Sequence, residues 1–180
     1  MIRMIRTVLV IFMLLAVWRC CQLVIPERPE YTENHIKLVT KASQEAASWL
    51  GKIELEQAKT YFGNLDRDDF GFVSYHLRKT IRQSDKVNLM DRSTNERFLE
   101  LIHWRIPTCK QTHQLLEQAR KQGCKYAIGG KICKFSQYID TIELAVELHI
   151  WEVGKPKLLG QTALKLSSQG NKISIQTCEL

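Results

Sequence analysis

Cys109 and His113 stand four residues apart, a spacing that on a helix brings a thiol and an imidazole onto one face. Such a pair is the beginning of a nucleophilic site, in which the imidazole takes the proton and the thiolate attacks. The surrounding sequence counts against it. Cys109 falls between Pro107 and Thr112, where the chain is expected to be a loop, and neither an orienting third group nor an oxyanion hole is placed beside it. No catalytic residue is assigned, and a thiol-dependent enzyme using Cys109 and His113 stays as the alternative reading.

Other chemistry-bearing residues give less. Asp66, Asp68 and Asp69 resemble the start of a calcium loop, but the further ligands and the later glutamate at defined spacing are missing. Their position just ahead of a helical stripe fits capping, since carboxylates interact favourably with the positive end of a helix. Cys109, Cys124, Cys133 and His113 do not show the close paired spacings of structural zinc sites. Gly129-Gly130 lacks the other glycines of a phosphate loop and sits inside a strand pattern, where glycine marks a bulge or a close backbone approach. His76, His103 and His149 are isolated, and Trp49, Trp104 and Trp151 read as core or half-buried residues. No metal or cofactor is implied.

The elements that position these residues follow from hydrophobic period. Ile36, Val39, Ala42, Ala46, Trp49 and Leu50 recur at intervals of three and four, predicting an amphipathic helix over His35–Leu50, closed by Gly51. Lys52–Phe62 alternates around Ile53 and Leu55 and predicts a strand. Phe70, Val73, Leu77 and Ile81 predict a helix, and Val87–Met90 a short strand. Ser93 with Glu96 forms a capping box opening a helix over Thr94–Trp104, and Thr112 opens another with Leu115, Leu116 and Ala119, closed by Gly123.

After Gly123 the period becomes two. Tyr126, Ile128, Gly130 and Ile132 share one face of a strand. In the next, Ile142, Leu144, Val146, Leu148 and Ile150 face one way and Glu143, Glu147 and His149 the other. Gly154–Lys157 is a turn, Leu158–Leu166 returns as a third strand, and Lys172–Cys178 is a candidate fourth. The expected class is α/β (α+β): a mixed sheet in the order β-α-β-α-α-β-β-β, helices packed on one face, with an amphipathic helix in front.

The N-terminus is of another kind. Arg3 and Arg6 precede an unbroken apolar run, Thr7–Trp18, and residues 1–26 contain no acid. This is the pattern of a signal peptide, and the run is shorter than the roughly 20 residues that span a bilayer comfortably. Arg19 closes it, although Leu23–Pro26 would extend a span if Arg19 snorkels, which makes a retained signal anchor. Cys20 stands where bacterial lipoproteins carry their acylated cysteine, but Trp18-Arg19 replaces the small residues that precede it there. Cleaved, lipidated and retained forms are all open.

Residues 27–51 read as a linker and helix, and 52–180 as the α/β domain. The net charge of +7 falls to +4 without the three N-terminal arginines, which disfavours a nucleic-acid partner and weakens an anion-binding module. Export would permit disulfides among Cys109, Cys124, Cys133 and Cys178, with three possible pairings.

Two passages carry a family resemblance. Val87-Asn88-Leu89-Met90-Asp91-Arg92 resembles a strand ending in an acidic residue and arginine before a helix. Ala119 with Gly123–Ile132 resembles a helix followed by "G-A-D-Y-x-x-x-G-x-I" and a long hairpin. Both resemble the bacterial envelope domain shared by the curli-secretion lipoprotein CsgG, the penicillin-binding-protein activator LpoB and the flagellar protein FlgO, with TolB's N-terminal domain more distant. Cys124 and Lys125 depart from that pattern, Glu54 and Glu56 interrupt the first strand, and no inserted amphipathic hairpins of pore-forming length are present. The resemblance implies a non-catalytic accessory or assembly domain of the cell envelope, periplasmic or membrane-anchored, binding a penicillin-binding protein or another assembly component without a cofactor.

Overall fold

The computed structural model describes residues 11–13, 29–91, 108, 111–170 and 172–179. Helix α1 spans Glu33–Leu50 and buries Leu38, Val39, Ala42, Ala46, Trp49 and Leu50, the stripe expected from its period. Ile36 instead lies exposed in its first turn. Strand β1, Thr60–Phe62, leads to helix α2, Phe72–Gln83, and helix α3 covers Thr112–Lys121. Strands β2 (Tyr126–Tyr138), β3 (Thr141–Glu152), β4 (Lys157–Gln169) and β5 (Lys172–Glu179) follow. They form one five-stranded sheet in chain order, in which β1 is parallel to β2 and all other neighbours are antiparallel. The class is mixed α/β of the α+β kind, and the C-terminal meander has four strands.

Alternation in β3 fixes the layers. Ile142, Leu144, Val146, Leu148 and Ile150 are buried in one core with α1 and α2, together with Phe62, Ile128, Leu164 and Leu166. The facing is the one read from the period of two.

Three local expectations are corrected. Only Thr60–Phe62 of the anticipated Lys52–Phe62 strand pairs in the sheet. The segment before it closes local turns, with the amides of Lys52 and Ile53 donating to Trp49 and Leu50 carbonyls. Its alternating Ile53 and Leu55 are half-buried loop residues against the core. The Val87–Met90 strand reduces to one parallel bridge, Thr60 to Leu89, on the outer edge of β1.

The third correction concerns covering. Helices do not share one face: α1 and α2 lie on one side, while Leu115, Leu116 and Ala119 of α3 pack with Tyr61, Ala127 and Val153 on the other. Successive strand residues point to opposite faces, so Tyr61 and Ala127 present an apolar patch where Phe62 and Ile128 do not. In β2, Cys133 is an extra residue in a bulge between Ile132 and Lys134. The bulge changes the phase and turns Phe135 toward the core.

Of the three aspartates before α2, Asp68 bonds to the first turns of the helix. Asp68 accepts from the amides of Ser74 (2.7 Å) and Val73 (3.4 Å), and Ser74 Oγ accepts from the Leu65 amide at 3.0 Å. Gly71 takes φ 66°, reversing the chain into the helix. Gly123, at φ 67°, ends α3 as expected. The predicted Thr94–Trp104 helix with its Ser93/Glu96 box lies outside the described residues, as do Cys20, His103, Trp104 and Cys109. Among the described residues no helix is long and apolar enough to cross a membrane.

Candidate functional site

Opposite α1 and α2, the helix-facing period of the strands leaves a second face. Among the described residues, helix α3 covers only its end, where Leu115 lies against Gly129; a Cβ there would fall 2.5 Å from Leu115 Cδ2. The rest is a polar face built in straight rows by the register. Lys131 stands opposite Glu147, Glu147 opposite Ala163, and Ala163 opposite Cys178. The next row runs Lys134, Ala145, Lys165, Gln176, and the next Ser136, Glu143, Ser167, Ser174.

Cross-strand pairs organise the charges. Lys131 Nζ lies 3.0 Å from Glu147 Oε2, Lys134 pairs with Glu143, and the Ser167 and Ser174 hydroxyls are 2.7 Å apart. Bonding to Lys131 holds the Glu147 carboxyl below its usual range, and the glutamate in turn raises Lys131. These are solvent-screened pairs that set orientation more than stability. A shallow cavity of about 380 Å³ opens among Lys134, Glu143, Ala145, Lys165, Ser167 and Gln176. Its lining of opposite charges, hydroxyls and an amide suits a polar protein surface or peptide.

Two of the described thiols, Cys133 and Cys124, are held in the protonated form. Burial, then bonding to Glu147, pushes the Cys133 thiol up; its Sγ donates to Glu147 Oε1 at 3.2 Å. Cys124 is raised by burial too and packs against Met90, its Sγ 3.6 Å from the thioether. Neither is a thiolate near neutrality. Cys124, Cys133 and Cys178 are free, and the three strand spacings between the rows of Cys133 and Cys178 amount to about 14 Å, beyond disulfide reach.

Of the residues singled out by sequence, His113 is exposed at the start of α3, and its proposed partner Cys109 lies outside the described residues. His149 sits on the polar face with its pKa lowered by burial, and His76 packs edge-on to Phe72 with its pKa also lowered by burial. Trp49 is buried in the core and Trp151 lies beside α3. Gly130 marks a close approach as anticipated: a Cβ would fall 1.9 Å from the Glu147 carbonyl oxygen.

Two arrangements escaped the sequence reading. Buried Arg78 donates to Phe62 O at 2.9 Å and Asn64 Oδ1 at 2.7 Å, tying α2 to the end of β1. Its signal was position, since Ser74 and Arg78 stand one residue beyond Val73 and Leu77 on the buried stripe. His35 takes the place of the usual glutamate in a capping box, its Nδ1 accepting from the Thr32 amide at 3.2 Å. The ring lies edge-on to Tyr31 and Phe135.

No known family profile matches the chain, and no curated protein matches it. Solved structures do. The LpoB C-terminal domain from Salmonella enterica is similar in fold, with TM-score 0.51 and 12% identity over 73% of this chain and 98% of that one. The same domain from Escherichia coli gives 0.51 and 12%, covering 72% of this chain and 98% of its own. The lipoprotein GNA1162 from Neisseria meningitidis gives a TM-score of 0.48 at 7% identity, over 64% and 85%. The fold is therefore similar to that of the LpoB C-terminal domain.

Proposed function

We propose that this chain is a non-catalytic accessory protein of the cell envelope, held at a membrane by its N-terminal segment, whose domain binds another envelope protein through the polar face of β2–β5. The observation that carries the reading is that face itself: rows of lysine, glutamate, serine and glutamine held in fixed register. Such a surface recognises by electrostatic complementarity, which sets partner choice and orientation more than raw affinity. A peptidoglycan synthase is the partner class to which the sequence resemblance and the LpoB-like fold direct attention.

Charge reversal tests it. Lys165→Glu changes an exposed side chain on the face, and Lys79→Glu does the same on α2, away from it. In cells lacking the native protein, Lys165→Glu is expected to fail to complement while folding and membrane recovery stay normal. Lys79→Glu is expected to complement. Equal behaviour of the two variants would remove the polar face from the function.

A further inference from the structure

One end of the domain gathers features that the polar face does not use. The β2–β3 hairpin ends in Tyr138 and Ile139, which are 57% and 96% exposed. An isoleucine so fully in water at the tip of long strands buries nothing within the fold. The β4–β5 turn lies beside this tip, with the Gly170 amide 3.4 Å from the Asp140 carbonyl oxygen. The start of α1 is there too, since Asn34 and Lys37 line a cavity of about 290 Å³ with Ser168, Gly170 and Ile173.

The chain enters the domain at this same end. Tyr31 stacks on Phe72 at 3.6 Å and on Phe135 at 5.9 Å, and the box between Thr32 and His35 fixes the next turn. The entry point is thus bound to the domain. In a retained anchor whose apolar residues run on to Pro26, only residues 27–30 precede Tyr31, and four residues reach about 14 Å at most. An anchored chain therefore keeps this end, and no other, close to the bilayer.

Resting on the anchored reading above, we propose that the Tyr138–Ile139 tip sits in the interface of the same membrane that holds the N-terminal segment. The chemistry fits a lipid surface. Tyrosine prefers the headgroup level and isoleucine the acyl boundary. Ile36 adds apolar surface in the first turn of α1. Charges nearby are balanced in number, with Lys37 paired to Glu33 and Asp140 and Lys172 adding one of each sign, so the contact is apolar rather than a charge attraction. One hairpin tip would not hold a free protein on a membrane, but a short tether raises its effective concentration enough for weak insertion to persist. The domain would then stand on this tip with β2–β5 turned sideways to partners.

The test uses the full-length protein in vesicles of phosphatidylethanolamine and phosphatidylglycerol. A photoreactive diazirine amino acid is placed at Ile139 or, as control, at Gly154, in the β3–β4 turn at the opposite end, where a side chain meets nothing. A lipid adduct at position 139 and none at 154 is expected, unchanged by salt. Vesicle-bound protein that gives no lipid adduct at 139, equal adducts at both positions, or a protein adduct at 139 would overturn the proposal and leave the anchor standing. Loss of the protein from vesicles in high salt would overturn the anchor and this proposal with it.

Discussion

Gly130 lies so close to β3 that a Cβ added to it would sit 1.9 Å from the carbonyl oxygen of Glu147. The clash is with backbone in the middle of the sheet, so relief requires the two strands to part. Gly130→Ala is expected to cost about 1–3 kcal/mol, the range for forced overpacking. Gly154→Ala, in open space, is expected to be near neutral. Denaturant midpoints of the two variants check this.

Adjacent residues of β3 should differ in the same way. Leu148 is fully buried and its truncation to Ala is expected to cost about 2–5 kcal/mol. Glu147 faces outward in a screened pair with Lys131, and Glu147→Ala should cost no more than about 1 kcal/mol. Equal losses in denaturant unfolding would mean that both faces of the strand are covered.

Asp68 gives a pH test. Burial raises its carboxyl pKa despite the amides of Ser74 and Val73. A carboxyl raised on folding binds more protons in the native than in the unfolded state between its unfolded and folded pKa values. This group therefore destabilises the fold as pH rises through that window. The stability of the native protein relative to Asp68→Asn should fall as pH rises above the ordinary carboxylate range, about 4. Unfolding free energies of both proteins across that range provide the check. A constant difference would mean that the carboxyl is not perturbed.

The imidazole of His35 has the opposite sign. Its Nδ1 accepts from the Thr32 amide, which requires the neutral ring, and burial lowers its pKa. The unfolded state then binds more protons, so this stability is present above about pH 6.5 and is lost as pH falls through the lowered folded value. His76 and His149 are lowered by burial as well and act in the same direction. His35→Gln keeps an acceptor at the third helical position without the titration, and should flatten part of the acid loss seen in unfolding between about pH 7 and 5.

Periodic segments were legible in the sequence because one residue type faces one environment. Leu144, Val146 and Leu148 alternate cleanly since α1 and α2 cover one side of β3, and the polar face follows from the same alternation. Lys52–Phe62 misled because Ile53 and Leu55 alternate for a different cause: they wedge a loop against the core, Ile53 beside Gly160. The second helical layer was hidden in small residues. Ala127 and Gly129 give no hydrophobic signal, yet their lack of bulk lets Leu115 of α3 approach β2. The bulge at Cys133 leaves no mark in composition, and it decides which later residues of β2 face the open side. The rows of the candidate face depend on pairing between strands, which the period within a single strand does not specify.

The most direct measurement of the central claim is site-specific photocrosslinking in living cells. A benzophenone amino acid replaces Lys165, exposed in the middle of the polar face, or Lys79, exposed on α2 behind it. The account predicts a discrete adduct between position 165 and one envelope protein, recovered with membranes, and no such adduct from position 79. The same adduct from both positions, or a stably folded protein that crosslinks to nothing from position 165, would contradict it.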